Sequence, residues 1–239
     1  GGGGPEPVVA LDVPGAAEAR SLVQLLPADT WYKVGLELFV AEGPGLVREL
    51  VAAGRSVFLD LKIHDIPNTA AGAARSAARL GARLLTVHAA GGREMIGAAV
   101  EAARQESGPP SEGGTAVLAV TVLTSLDDEL LSELAGSQVS AEGAVGRLAV
   151  LAREAGADGV VASVAECSAV KALCGEDFLV ATPGIRLAGG DAHDQKRVAT
   201  PAEAAGAGAD YLVVGRAVRG AEDPPAALRR VREEAARSV

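Results

Sequence analysis

The stretch FLDLKIHDIPNT, residues 58–69, begins as an apolar run and then places Asp60, Lys62 and Asp65 within six residues. A charge at the end of a core strand costs free energy unless it is paired or used. Asp60 and Lys62 are two apart, so the period of two along a strand turns both to one side while Leu59 and Leu61 take the other. An ammonium beside a carboxylate stays protonated near neutral pH, which makes Lys62 a ready proton donor. Lys33, in the run TWYKVG (30–35), and Asp12, in VVALDV (8–13), add a second ammonium and a second carboxylate at strand ends. Only four of the 22 basic residues are lysines, Lys33, Lys62, Lys171 and Lys196, and two of the four end predicted strands. Arginine keeps its proton in a protein, so lysine at these positions points to proton transfer. The competing interpretation is a structural network of ion pairs, which perturbs charges in the same way.

A second constellation has the makings of a phosphate site. TPGIR (182–186) and VVGRAV (213–218) each join a glycine to an arginine. Gly184 and Gly215 let backbone N–H groups approach an anion, and Arg186 and Arg216 supply forked donors. Between them LAGGDAHDQKRVAT (187–200) lacks an apolar period and is long enough for a lid, with Gln195, Lys196 and Arg197 able to close over a phosphate; a plain solvated loop is the alternative. Thr124 stands just past an apolar run, placed either to hydrogen-bond a planar ring or to cap a helix. His88 ends LLTVH and is either an orienting group or a satisfied structural histidine, while His64 and His193 carry no assigned chemistry. Cys167 and Cys174 match no zinc or redox spacing and read as small buried hydrophobes. There is no transition-metal ligand spacing, nucleophile elbow or dinucleotide glycine fingerprint.

Positioning these groups requires a scaffold that brings strand ends together. Short β-branched or leucine-rich runs alternate with alanine-rich segments of helical period: 8–13 then 16–26, 30–35 then 43–53, 56–63 then 69–80, 83–88 then 93–105. The second half repeats the rhythm, with 115–123 then about 140–156, 159–163 then 165–174, 177–182 then 201–208, and 211–215 then 224–236. Eight such units in 239 residues predict a (β/α)8 TIM barrel over residues 5–239, with a doubly wound open sheet as the runner-up. In a barrel the catalytic groups lie at the C-terminal strand ends, and the phosphate-binding loops follow strands 7 and 8. Both constellations fall there. The four leading glycines are expected to lie outside the fold. A net charge of −9 and 3% aromatic residues argue against nucleic acid as a partner, and no apolar run reaches membrane-spanning length, so a cytoplasmic protein with a small-molecule ligand is expected.

Taken together, VALDV (9–13), YKVGLELF (32–39), FLDLKIHDIPNT (58–69), TVHAAGG (86–92), AVTVLTSL (119–126), TPGIR, DQKRVATP (194–201) and VVGRAV resemble the bacterial form of the orotidine 5'-phosphate decarboxylase family. The resemblance implies a homodimer of barrels that converts orotidine 5'-monophosphate to UMP and CO2, the last step of de novo pyrimidine synthesis, with no metal or organic cofactor. It implies that Lys62 protonates C6 of the pyrimidine and that Asp60, with Lys33 next to it, lies beside the departing carboxylate. Asp65, Ile66 and Thr69 would come from the partner subunit. Asp12, Lys33, Asp65 and Thr69 would hold the ribose hydroxyls, Thr124 the pyrimidine edge, and Arg186, Gln195, Gly215 and Arg216 the phosphate. The chain departs from the family's usual pattern at Leu187, where proline is commoner, and at Ala199, where methionine is frequent. Two rivals remain: a metal-dependent sugar-phosphate branch that shares D-x-K-x-x-D but carries a glutamate where this chain has Lys33, and a nucleotide-sensing barrel without catalysis.

Overall fold

In the computed structural model, residues 4–189 and 198–237 are described. The apolar runs become eight parallel strands: β1 (Glu6–Ala10), β2 (Trp31–Gly35), β3 (Ser56–Ile63), β4 (Leu84–His88), β5 (Ala116–Val120), β6 (Gly159–Val161), β7 (Leu179–Thr182) and β8 (Tyr211–Val214). They pair in chain order and β8 returns to pair with β1, so the sheet closes into a (β/α)8 barrel and the open doubly wound alternative is ruled out. Helices α1 (Ala16–Leu25), α2 (Leu36–Ala52), α3 (Pro67–Arg79) and α4 (Gly92–Ser107) follow the first four strands. In the second half, α5 (Asp128–Ala135) and α6 (Ala141–Glu154) follow β5, and α7 (Val164–Cys174) and α8 (Pro201–Gly206) follow β6 and β7. After β8 come α9 (Arg216–Arg219) and α10 (Pro224–Ala236).

The structure departs from the sequence expectation in several places. β1 ends at Ala10, so Asp12 stands two residues beyond it; one ladder-like bond, Leu11 N–H to the Lys33 carbonyl at 2.9 Å, carries the pairing past its end. α2 starts at Leu36 rather than 43, because its first turns are broken from the rest at Gly43 (φ 65°, ψ −162°) just before Pro44, and only the second part keeps a clean apolar period. α5 was not expected. It buries no residue, and its start is fixed by the Asp127 side chain, which accepts from Leu130 N–H at 3.0 Å.

Inside the barrel, Val8, Ala10, Phe58, Leu84, Leu118 and Val213 fill the lumen. Trp31 and Tyr211, with ring centroids 5.3 Å apart, join this cluster from the first residues of β2 and β8 and close the end opposite the strand C-termini. Outside, alanines dominate the contact: Ala70, Ala74, Ala77 and Ala78 of α3 and Ala99, Ala102 and Ala103 of α4 are all buried. Small side chains let these two helices pack closely on each other over β3 and β4. That pair of strands therefore has a dense backing, and it carries Asp60 and Lys62 on β3 and Thr86 on β4.

Candidate active site

Along β3 the side chains alternate as expected. Phe58 faces the lumen, Leu59, Leu61 and Ile63 pack into the outer layer, and Asp60 and Lys62 turn into the mouth. The strand is nevertheless irregular at these residues. Leu59 pairs with Leu85 and Ile63 with Val87, so three residues of β3 (60, 61 and 62) stand opposite the single residue Thr86 of β4. Lys62 has φ 49°, and among the described residues it is the one non-glycine in the left-handed region. Such backbone costs on the order of 1 kcal/mol for an L-residue and persists where the surroundings enforce it.

The charges form a continuous row across three neighbouring strand ends. Lys33 Nζ lies 3.4 Å from Asp12 Oδ1 and 3.4 Å from Asp60 Oδ2, and Lys62 Nζ donates to Asp60 Oδ2 at 2.7 Å. Thr86 Oγ1 donates to the other Asp60 oxygen at 2.7 Å and accepts from Lys62 N–H at 2.9 Å. The Asp60 side chain is 9% exposed, whereas Asp12 at the rim is 49% exposed. Gly35, paired with Asp60, lies beside this row; a Cβ there would stand 3.5 Å from Lys33 Nζ and 3.7 Å from Asp12 Oδ1, ordinary contact distances.

Burial pushes the Asp60 carboxyl up. The Lys33 and Lys62 charges and the hydrogen bonds from Lys62 and Thr86 outweigh it and hold the group below the ordinary aspartate range. Folding therefore favours its charged form. The stability this contributes is present above the unfolded-state value, about 3.9, and is lost as pH falls through the lower folded-state value. Asp60→Asn keeps the neutral shape at every pH, so it should be less stable than wild type at about pH 6, with the gap narrowing below about pH 4. Denaturant unfolding across that range checks this, and a gap that widens on acidification would contradict it. His88 is held below the ordinary histidine value by burial, by His64, whose ring centroid is 5.4 Å away, and by Lys62, with Asp60 acting the other way. It is neutral at physiological pH and carries no direct bond to the row.

The remaining sequence candidates divide. Asp65, Ile66 and Thr69 are exposed at the start of α3, and among the described residues Asp65 makes no ion pair, only accepting from Ile66 N–H at 2.7 Å. They do not join the row of their own chain. Thr124 is exposed in the loop after β5, and helix capping there falls to Asp127. Pairing of Thr182 with Leu212 carries the Gly184 turn (φ 75°) and Gly215 to neighbouring places on the rim, and Arg186 is half-buried beside them. Arg186 N–H bonds the Ala199 carbonyl at 2.9 Å and Ala199 N–H bonds the Gly184 carbonyl at 3.2 Å, tying the two ends of the intervening segment. Gln195, Lys196, Arg197 and His193 lie outside the described residues.

One group escaped the sequence reading, and one of the four lysines it named lies away from the site. Thr86 stands two residues before His88 on the same face of β4, a lone hydroxyl in an apolar strand. Lys171 is 5% exposed and bonds Asp210 at 2.8 Å and the Glu176 carbonyl at 2.9 Å, far along the chain from the row and near the start of β8, so this lysine serves structure. Cys167 and Cys174 are buried free thiols as expected, with burial pushing Cys167 up to about 11. A groove of about 730 Å³ between α4, α6 and α7, with Arg93, Arg147, Val150 and Leu173 in its walls, lies outside the barrel and holds none of the charged row. Among the described residues no group of three His, Cys, Asp or Glu side chains has metal-site geometry, and no helix is long and apolar enough to cross a membrane.

The model of the Orotidine 5'-phosphate decarboxylase / HUMPS family matches residues 5–231. The chain is 52% identical over 228 residues to an orotidine 5'-phosphate decarboxylase of Moorella thermoacetica, covering 95% of this chain and 90% of that protein. It is 56% identical over 223 residues to the one of Anaeromyxobacter sp. strain K, covering 93% and 94%. The crystal structure of orotidine 5'-phosphate decarboxylase from Lactobacillus acidophilus superposes with a TM-score of 0.85 at 37% identity, covering 97% of this chain and 98% of that one.

Proposed function

Because this chain belongs to the orotidine 5'-phosphate decarboxylase / HUMPS family, we propose that it is the carboxy-lyase converting orotidine 5'-monophosphate to UMP and CO2, with Lys62 as proton donor. The observation that carries this reading is the row Asp12, Lys33, Asp60, Lys62, alternating in sign, with Lys62 Nζ and Asp60 joined at 2.7 Å. Loss of CO2 breaks the bond at C6 of the pyrimidine and leaves its electron pair on that carbon, outside the ring π system. The uncatalysed barrier is therefore high, and the site must supply on the order of 20 kcal/mol. An ammonium fixed beside C6 stabilises the developing charge and then passes its proton to that carbon; the lysine recovers a proton from water. Asp60, held ionised by its neighbours, sits against the departing carboxylate and orients both lysines.

In this reading Arg186, Gly215, Arg216 and Gln195 grip the phosphate, Asp12 and Lys33 the ribose, and Thr124 the pyrimidine edge. Asp65, Ile66 and Thr69 act across a homodimer interface. Their exposure on the free barrel supports this, as does Ile66, an apolar side chain left 67% exposed. In this reading the protein works in the cytoplasm. The metal-dependent branch of the family is the rival, and Lys33 puts a cation on β2 where that branch carries a carboxylate ligand. Incubation of the protein with orotidine 5'-monophosphate should bleach the substrate's ultraviolet absorbance at the same rate before and after exhaustive chelation. Loss of activity restored only by Mg2+ would favour the rival, and no bleaching in either condition would leave a nucleotide-binding barrel.

A further inference from the structure

We propose that Thr86 is a positioning residue for the reaction: its hydroxyl pins the Asp60 carboxylate and the left-handed backbone of Lys62 together, so that the ammonium is presented to the substrate in one place. The proposal rests on the decarboxylase reading for its kinetic consequence and on geometry alone for the pin itself.

A threonine hydroxyl has one hydrogen to donate and lone pairs to accept. Thr86, wholly buried, gives its hydrogen to Asp60 Oδ1 and receives the Lys62 N–H. Both bonds answer a need created by the irregular pairing of β3 with β4. Three residues face one there, so the ladder passes from Leu85 to Val87 without a regular backbone partner for the Lys62 amide, and the Thr86 side chain takes that place. Buried polar groups left without partners are costly, so the hydroxyl and the bulge are mutually dependent. The same bond that accepts from Lys62 N–H holds φ at 49°, a value an unconstrained lysine leaves readily. Asp60 is in turn fully engaged: Oδ1 by Thr86, and Oδ2 by Lys62 and Lys33. Freed from Thr86, its carboxylate can rotate and the Lys62 backbone can relax to negative φ, carrying the ammonium away from its place.

The test compares Thr86→Val, which has the same shape without the hydroxyl, with Thr86→Ser, which restores it. Thr86→Val should lower kcat by about 10- to 100-fold, the effect of a hydrogen bond to a charged group, with KM nearly unchanged. Thr86→Ser should come back to within about fivefold of wild type. The acid limb of the Thr86→Val profile should move to higher pH, because a hydrogen bond favouring the charged Asp60 is gone. A readout independent of turnover is supplied by the lysines. The chain has only four, so protein labelled with 15N-lysine shows at most four lysine amides. Exchange of the Lys62 amide should quicken by about tenfold or more in Thr86→Val and stay near the wild-type rate in Thr86→Ser, with the Lys33 and Lys171 amides unmoved. A merely structural role would quicken all of them or raise KM. Unchanged kcat or an unchanged Lys62 amide in Thr86→Val overturns the proposal. If that variant does not fold, Thr86→Ala is measured by the same criteria, and failure of both to fold overturns it too. Should wild type fail to decarboxylate orotidine 5'-monophosphate, the functional reading falls while the amide measurement still decides the pin.

Discussion

Lys62→Ala should bind a UMP-like ligand with near wild-type affinity and turn substrate over at least about 10,000-fold more slowly, since it loses both an electrostatic stabiliser and a proton donor. The asymmetry follows from when the ammonium matters. Its charge acts on an electron pair that exists only as the C6 bond breaks, so its contribution falls on the transition state and leaves ground-state binding nearly untouched. Removal of the ammonium also leaves Asp60 with Lys33 and Thr86 as partners, so the carboxylate keeps two of its contacts and the barrel is expected to fold. Stopped single-turnover assays and equilibrium ligand binding measure the two quantities separately. A variant with kcat within tenfold of wild type, about 1.4 kcal/mol, would remove Lys62 from the donor role. Arg216→Ala provides the contrast, with its loss falling largely in KM.

Mixing two inactive variants should restore about a quarter of wild-type activity, on the assumption of a symmetric dimer. The variants are Lys62→Ala and Asp65→Ala, unfolded together and reassembled. If each site takes Lys62 from one subunit and Asp65 from the other, a mixed dimer has one site lacking both groups and one lacking neither. Random pairing makes about half the dimers mixed, so about a quarter of all sites are intact. The structure gives this its motive: Asp65 makes no ion pair with Lys62 of its own chain, precedes Pro67, where the chain leaves the strand direction to start α3, and is exposed beside Ile66. No recovery, with dimers verified by sizing and each variant shown to be folded, would refute the shared site while leaving the decarboxylase reading intact.

The barrel was legible because each strand is an apolar run long enough to be buried on both faces and each helix has its own period. Legibility failed where a segment does not bury much. α5 packs no side chain fully, and the first turns of α2 lose their period at Gly43 and Pro44. Asp12, Lys33, Asp60 and Lys62 could be picked out because each is a charge closing an apolar run. Thr86 could not, since threonine is an ordinary strand residue and its role is set by a partner across the ladder, 26 residues away from Asp60. The left-handed turn at Lys62 left no trace either, because lysine carries no preference for positive φ. Scarcity of lysine proved an imperfect guide: Lys171 is as rare as Lys62 by type, yet its reason lies in Asp210, 39 residues further on.

The mismatch of three residues against one between β3 and β4 places chemistry and a regular barrel in competition at the same point of the chain. A β3 with one residue in place of 60–62 could run its ladder unbroken from Leu59 to the partner of Val87, with no left-handed residue and no buried carboxylate. Such a chain would be the easier one to fold and would have nothing to offer a substrate. Computational stabilisation that scores each position for burial and regularity would therefore be drawn towards erasing this segment first, and any thermostable derivative of the protein has to be built with residues 58–65 and Thr86 withheld from change.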